Sequence, residues 1–182
     1  CTAAIRWLRA HAKDFNLDPQ HFGAWGSSAG GHLVALLGTS GDEKVFDVGA
    51  NLDQSSRVQA VCDYFGPTDF LRMGGSHDDA DSPESLLIGG PIQQHKDKAA
   101  QANPITYVSK DDPAFLIVHG TNDPAVPLKQ SELLHAVLTK AGVESKLHLI
   151  EGGGHGGRGF TAPEVIELVN RFFDRHLQPP KP

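Results

Sequence analysis

The sequence predicts an α/β chain in which a mostly parallel sheet is covered by helices on both faces. Two observations carry that expectation. Apolar runs of strand length alternate four times with helical patterns. Two of those runs, VQAVCDYF and AFLIVHG, are close to continuous rather than alternating, which is how strands buried on both faces read. With 182 residues, of which 39% are hydrophobic, the chain is long enough for one domain with a real core and short for two. Residues 1–182 are therefore read as a single domain.

The elements follow in order. Ile5, Leu8, Ala12 and Phe15 recur at three- and four-residue steps between Arg6, Arg9, Lys13 and Asp14, which predicts an amphipathic helix closing near Asp18-Pro19. HFGAWGS reads as a short buried strand with Trp25 packed in it, and SAGGHLVALLGTS as a helix that starts directly after Ser28 and ends near Gly38 to Gly41. Residues 42–57 are polar and predict surface loop, before RVQAVCDYF forms a second strand ending at Gly66-Pro67. From Thr68 to about Lys110 the pattern breaks at Gly74, Gly75, Pro83, Gly89, Gly90 and Pro91, and its most coherent helical stretch lies within IQQHKDKAAQA. AFLIVHG is the third strand, PLKQSELLHAVLTKAGV a helix, SKLHLIEG the fourth strand and APEVIELVNRFFDRHL a final amphipathic helix with Pro163 near its first turn.

Composition excludes several classes of partner. The formal net charge is −6 and the basic residues are scattered, so neither nucleic acid nor an anionic membrane is an expected partner. No apolar run approaches the roughly 20 residues that span a bilayer. The two cysteines, Cys1 and Cys62, suggest no disulfide framework, and helical spacing right after Cys1 argues against a lipid-modified start. SHDDADSPE carries four acids in nine residues without the alternating ligand spacing of a calcium loop, so it reads as solvated surface. No metal and no cofactor is expected.

The residues 23–31, GAWGSSAGG, carry the chemistry. A strand that turns sharply into a helix strains the corner residue and brings its neighbours two positions away into close approach, which Gly26 and Gly30 are expected to relieve. Such a nucleophile elbow presents Ser28 at the carboxyl edge of the sheet, with the N–H of Ala29 facing the same space as an oxyanion donor. A serine hydroxyl needs a histidine to take its proton and a carboxylate to orient that histidine. After the third strand HGTNDPAVP places Asp123 in a turn, and after the fourth EGGGHGGRGF places His155 in a glycine-rich loop. Of the ten histidines, His119 and His148 fall in strands and His32, His135 and His176 on helices, whereas only His155 occupies a glycine-rich loop after a strand, from which an imidazole can reach Ser28. Asp69 and Asp63 are the rival acids, since some hydrolases carry the acid one strand earlier.

With GSSAGGH, DYFGPTDF, NPITYVS, FLIVHGTNDPAVP and GGGHG in this order, the chain resembles the esterase/lipase group of the α/β-hydrolase fold. It is most similar to the bacterial carboxylesterases that include bifunctional feruloyl and acetyl-xylan esterases. The resemblance implies the triad Ser28, Asp123 and His155, in agreement with the reading from the residues, and short-chain carboxylic esters as substrates, acetyl or feruloyl esters of plant polysaccharide among them. It also implies a second oxyanion donor on an upstream H-G-G loop, which this sequence does not contain. The chain is therefore expected to be the carboxyl-terminal portion of a longer hydrolase, lacking the N-terminal strands of the full fold, with an exposed sheet edge through which it could form a homo-oligomer. The rival functions are a prolyl-oligopeptidase-type serine peptidase, against which Ala29 rather than tyrosine follows the serine, and a catalytically impaired fragment. The broken stretch from about Leu71 to Gln101 is where such a hydrolase inserts a cap over its pocket, and an ordinary crossover is nearly as well supported.

Overall fold

Among the described residues four strands are interspersed with six α-helices. The structure, a computed structural model, describes residues 1–41 and 43–178; Asp42, in the stretch expected to be loop, lies outside them. In order the elements are α1 (Thr2–Ala10), β1 (Gly23–Ser27), α2 (Ala29–Thr39), β2 (Ala60–Tyr64), α3 (Pro83–Ile88), α4 (Lys96–Ala102), β3 (Ala114–Gly120), α5 (Lys129–Ala141), β4 (Ser145–Ile150) and α6 (Pro163–Leu177). The sheet order is β1-β2-β3-β4 and every pairing is parallel, with Trp25 opposite Cys62, Cys62 opposite Leu116 and Leu116 opposite Lys146.

Period-two alternation sends the side chains of the central strands to two cores. Val61, Phe115 and Ile117 join Ala35, Leu37, Leu134 and Leu138 from α2 and α5 on one face. Cys62, Tyr64, Leu116 and Val118 meet Val165 and Val169 of α6 on the other. Fully burying one such aliphatic side chain contributes about 1.5–3 kcal/mol, so β2 and β3, buried along nearly their whole length, anchor the fold. The outer strands are half-covered. Among the described residues β1 pairs with β2 alone and its other edge has no strand beside it. Trp25, expected to be packed, is 48% exposed; it stands on the α6 face, edge-on to Tyr64 at 5.4 Å and near Phe173, where an edge strand leaves one flank of the indole uncovered.

Two further elements differ from the sequence reading. The first helix ends at Ala10, well before Asp18-Pro19, because the chain turns through residues 11–16 and Asn16 enters the left-handed region at φ 53°. Its charged face is also not a solvent face. Arg6 is 1% exposed, and its guanidinium donates to the carbonyls of Val48 and Ala50 and to the Asp47 carboxylate, so α1 holds the following loop. The stretch 68–110 contains α3, where the sequence pattern shows only breaks at Pro83, Gly89 and Gly90. Ser82 accepts from the Ser85 N–H as N-cap, Pro83 opens the helix, and Gly89 closes it at φ 80°. IQQHKDKAAQA does contain a helix, interrupted at His95, where φ −122° and ψ 49° separate a short 3-10 turn from α4.

Between β2 and β3 this stretch builds a small core of its own from Phe70, Met73, Ile88, Ile92 and Ala99. It is tied to the main body by Gln130 of α5. The Gln130 Oε1 accepts from the N–H groups of Thr68 and Asp69 at 2.8 and 2.7 Å, and its Nε2 donates to the Asp69 carbonyl. All three residues are buried, so each of these bonds satisfies a polar group that water cannot reach.

Candidate active site

Ser28 occupies the corner between β1 and α2, with φ 55° and ψ −122°. A non-glycine residue held there stores on the order of 1–3 kcal/mol of strain. The Ser28 N–H donates to the Tyr64 carbonyl at 2.8 Å, which ties the corner to β2. The two flanking glycines serve unequal purposes. A Cβ at Gly26 would lie 2.5 Å from the carbonyl carbon of Gly30, so the turn closes only without it. A Cβ at Gly30 would meet nothing within 4 Å, which corrects the expectation that both flanks are crowded. The second crowded position is Gly31, where a Cβ would come 2.8 Å from the Tyr64 carbonyl oxygen and into the Asp63 carboxylate.

Asp123 follows β3 in a turn that its own side chain organises. Its Oδ1 accepts from the N–H groups of Ala125 and Val126 at 2.8 and 2.9 Å, leaving Oδ2 for His155. Burial pushes this carboxyl up, but the bonds from Val126, His155 and Ala125 outweigh it and hold it below the ordinary carboxylate value. His155 follows β4, and its loop is bonded to the Asp123 loop: the Asn122 N–H donates to the Gly153 carbonyl at 2.8 Å and the Gly152 N–H to the Thr121 hydroxyl at 2.8 Å. Gly120 makes room for that approach, since a Cβ there would strike the carbonyl of Gly153 and come 2.5 Å from that of Gly154.

These loops bring three distant side chains together. His155 Nδ1–H donates to Asp123 Oδ2 at 2.8 Å, and the Ser28 hydroxyl donates to His155 Nε2 at 2.8 Å. The imidazole rests on Phe65, with ring centroids 4.6 Å apart, and the Asp123 carboxylate is shielded from solvent beside it. Ala29 is the first residue of α2, so its N–H is one of the helix-end donors that have no partner within the helix. Ser28, Ala29 and His155 open on a cavity of about 340 Å³ whose other walls include Pro67, Phe70, Leu87 and Val126. Residues of the 67–87 stretch thus form part of the wall beside the serine.

The rival acids are engaged elsewhere. Asp69 Oδ1 accepts from the Leu71 N–H and the Asn103 amide, and its Oδ2 pairs with Arg72 at 3.2 Å. Asp63 is fully buried at the foot of the elbow; its Oδ1 accepts from the Gly66 N–H, and its Oδ2 has no partner among the described residues. Burial holds this carboxyl up at about 7, although the Gly66 bond acts to lower it. His119 is fully buried, gives Nε2–H to the Val126 carbonyl at 3.0 Å and accepts from Ser131 at Nδ1, so it supports the acid turn from below. His32 lines the cavity but gives its Nε2–H to the Ala102 carbonyl.

The sequence reading did not find Gln130 or Asn103, and its expectation that SHDDADSPE is solvated surface is corrected: Ser82 is buried, and His77 and Glu84 turn inward and line the cavity. Only Asn103 carried a local signal, in front of Pro104. Among the described residues no group of three or more His, Cys, Asp or Glu side chains is arranged to hold a metal, and no helix is long and apolar enough to cross a membrane.

A parallel sheet whose first strand turns through a strained serine into a helix, with an acid after the third strand and a histidine after the fourth, defines an α/β-hydrolase. Solved esterases share this fold closely. A truncated carbohydrate esterase from gut microbiota superposes with a TM-score of 0.89 at 36% identity, over 96% of this chain and 66% of its own. An acetyl ester-xyloside bifunctional hydrolase from Caldicellulosiruptor lactoaceticus gives 0.78 at 28% identity, over 96% of this chain and 63% of its own. The chain belongs to the BD-FAE family, whose profile matches residues 1–138. Among curated relatives, the probable carboxylic ester hydrolase LipM of Mycobacterium tuberculosis is 32% identical over 130 residues, 70% of this chain and 30% of LipM. The chain thus spans about a third of that relative's length and just under two thirds of the two solved chains.

Proposed function

We propose that the protein is a serine carboxylesterase that hydrolyses short-chain esters through an acyl-enzyme. The observation that carries this reading is the pair of 2.8 Å bonds linking Ser28, His155 and Asp123. The Ser28 oxygen attacks the ester carbonyl carbon while its proton passes to His155 Nε2. Asp123 holds the ring in the tautomer that leaves Nε2 free to accept, and stabilises the imidazolium that forms. Negative charge on the carbonyl oxygen develops towards the Ala29 N–H and the positive end of α2. His155 then protonates the departing alkoxide. Water attacks the acyl group by the same route in reverse, releasing the acid and restoring Ser28.

A cavity of about 340 Å³ walled by Phe70, Leu87 and Val126 has room for a small acyl group such as acetyl together with part of the alcohol. The names of the acetyl ester-xyloside hydrolase and of the carbohydrate esterase support acetylated polysaccharide as the source of the ester. A fluorophosphonate probe tests the reading, because it phosphonylates only an activated serine. Stable labelling that maps to Ser28, is absent from Ser28→Ala and accompanies hydrolysis of p-nitrophenyl acetate is the expected result. Folded protein that neither labels nor hydrolyses would overturn it.

A further inference from the structure

Lining the same cavity as the serine is a second hydrogen-bonded imidazole and carboxylate that the steps above do not use. His77 and Glu84 both line the cavity, and His77 Nδ1–H donates to Glu84 Oε1 at 3.2 Å. Both side chains are largely sheltered, at 22% and 11% exposed. The pair is held in place at the backbone as well. The Ser82 hydroxyl donates to the His77 carbonyl at 2.8 Å while Ser82 caps α3, the helix that carries Glu84, and Gln93 donates to the neighbouring Asp78 at 3.0 Å. His77 Nε2, on the far side of the ring from Glu84, has no bonding partner among the described residues.

The rest of the cavity explains why this matters. Pro67, Phe70, Pro83, Leu87 and Val126 supply only apolar surface, Ser28 and His155 are bonded to each other, and His32 is 4% exposed with its Nε2–H committed to Ala102. A polar ring fixed among these apolar walls costs desolvation whenever a ligand fills the space without bonding to it. The cavity, at about 340 Å³, also holds about 11 waters' worth of volume at about 30 Å³ each, more than an acetyl group occupies.

We propose that His77, oriented by Glu84, is a specificity residue that accepts or donates a hydrogen bond to a hydroxyl group carried by the ester beyond its scissile bond. A hydroxyl is the group that fits best, because it bonds to Nε2 as donor when the ring is neutral and as acceptor when the ring is protonated. Glu84 is a positioning residue: it fixes which nitrogen faces the cavity. This inference rests on the esterase reading and extends it to the part of the substrate that does not react.

Matched pairs of esters test it, since each pair differs only by a hydroxyl in place of a methyl. On the alcohol side the pair is 3-hydroxypropyl acetate and butyl acetate; on the acyl side it is methyl 6-hydroxyhexanoate and methyl heptanoate. Wild-type protein is expected to prefer the hydroxylated member of one pair in kcat/KM by about tenfold, and the pair that shows the preference identifies which half of the ester reaches His77. His77→Phe should bring that ratio to about one or below. Glu84→Gln, which still accepts from Nδ1–H, should retain most of the preference, whereas Glu84→Ala should lose it. Because each ratio is taken within one variant, a loss of folded protein or of overall turnover cancels. A wild-type ratio near one in both pairs, or a ratio unchanged in His77→Phe and Glu84→Ala, would overturn the assignment while p-nitrophenyl acetate hydrolysis left the esterase reading standing. Failure to hydrolyse any ester, p-nitrophenyl acetate included, would overturn both.

Discussion

Replacing Gly26 and Gly30 separately by alanine distinguishes the geometry of this elbow from the symmetry of its motif. A methyl at 26 would lie 2.5 Å from the carbonyl carbon of Gly30, where carbon atoms settle at about 3.5–4.0 Å. The strand end and the first turn of α2 must therefore separate by about 1 Å. Neither partner is a flexible side chain, so the displacement falls on the backbone that carries Ser28. A misplacement of about 1 Å at a reacting group costs about a hundredfold in rate, and forced overpacking costs about 1–3 kcal/mol of stability. Gly30→Ala meets open space within a helix, where alanine is favoured over glycine by about 0.5–1 kcal/mol. Turnover of p-nitrophenyl acetate and urea unfolding midpoints, measured on both variants, should show Gly26→Ala slow and less stable and Gly30→Ala stable with its Ser28 geometry kept. Two variants that lose activity and stability alike would refute the reasoning, and so would a Gly26→Ala variant with wild-type turnover.

Asp123→Asn should keep the bonds from Ala125 and Val126 and so the fold, but its amide cannot accept from His155 Nδ1–H, and kcat should fall by about a thousandfold or more; near-normal turnover in a folded variant would remove Asp123 from the acid role. Asp63→Asn tests the buried carboxyl under the elbow through pH. Because burial raises the folded value to about 7 from the ordinary 3.8, the protonated acid favours folding: the contribution is complete below about pH 3.8 and is lost as pH rises to and through 7. That gap corresponds to about 4 kcal/mol, so urea unfolding from pH 4 to pH 8 should show the variant gaining about that much on wild type, and a constant difference across the range would refute it.

The strands and the site loops were legible because both are written locally. VQAVCDYF and AFLIVHG are close to continuously apolar and became the buried centre of the sheet, and residues placed just past a strand end, Asp123 and His155, met at its carboxyl edge as parallel topology requires. What could not be read depends on contacts made across the chain. Arg6 belongs by spacing to a polar helix face, and only the return of residues 47–50 turns that face inward. Gly30 and Gly31 look interchangeable until β2 and Asp63 are seen beneath the second of them. Gln130 is an unremarkable helix residue whose amide bonds to backbone some sixty positions away. The six residues of α3 are too few for periodicity to register, although Ser82-Pro83 and Gly89 mark both of its ends.

The Asn122 to Gly153 and Gly152 to Thr121 bonds make one body of the two turns that carry Asp123 and His155. Ser28 belongs to another, fastened to β2 through the Tyr64 carbonyl. The relay from hydroxyl to carboxylate therefore crosses a seam between Ser28 and His155 and none between His155 and Asp123. A distortion that lengthened the contact between Ser28 and His155 would leave the Nδ1–H bond to Asp123 in place, and with it the tautomer that accepts the hydroxyl proton.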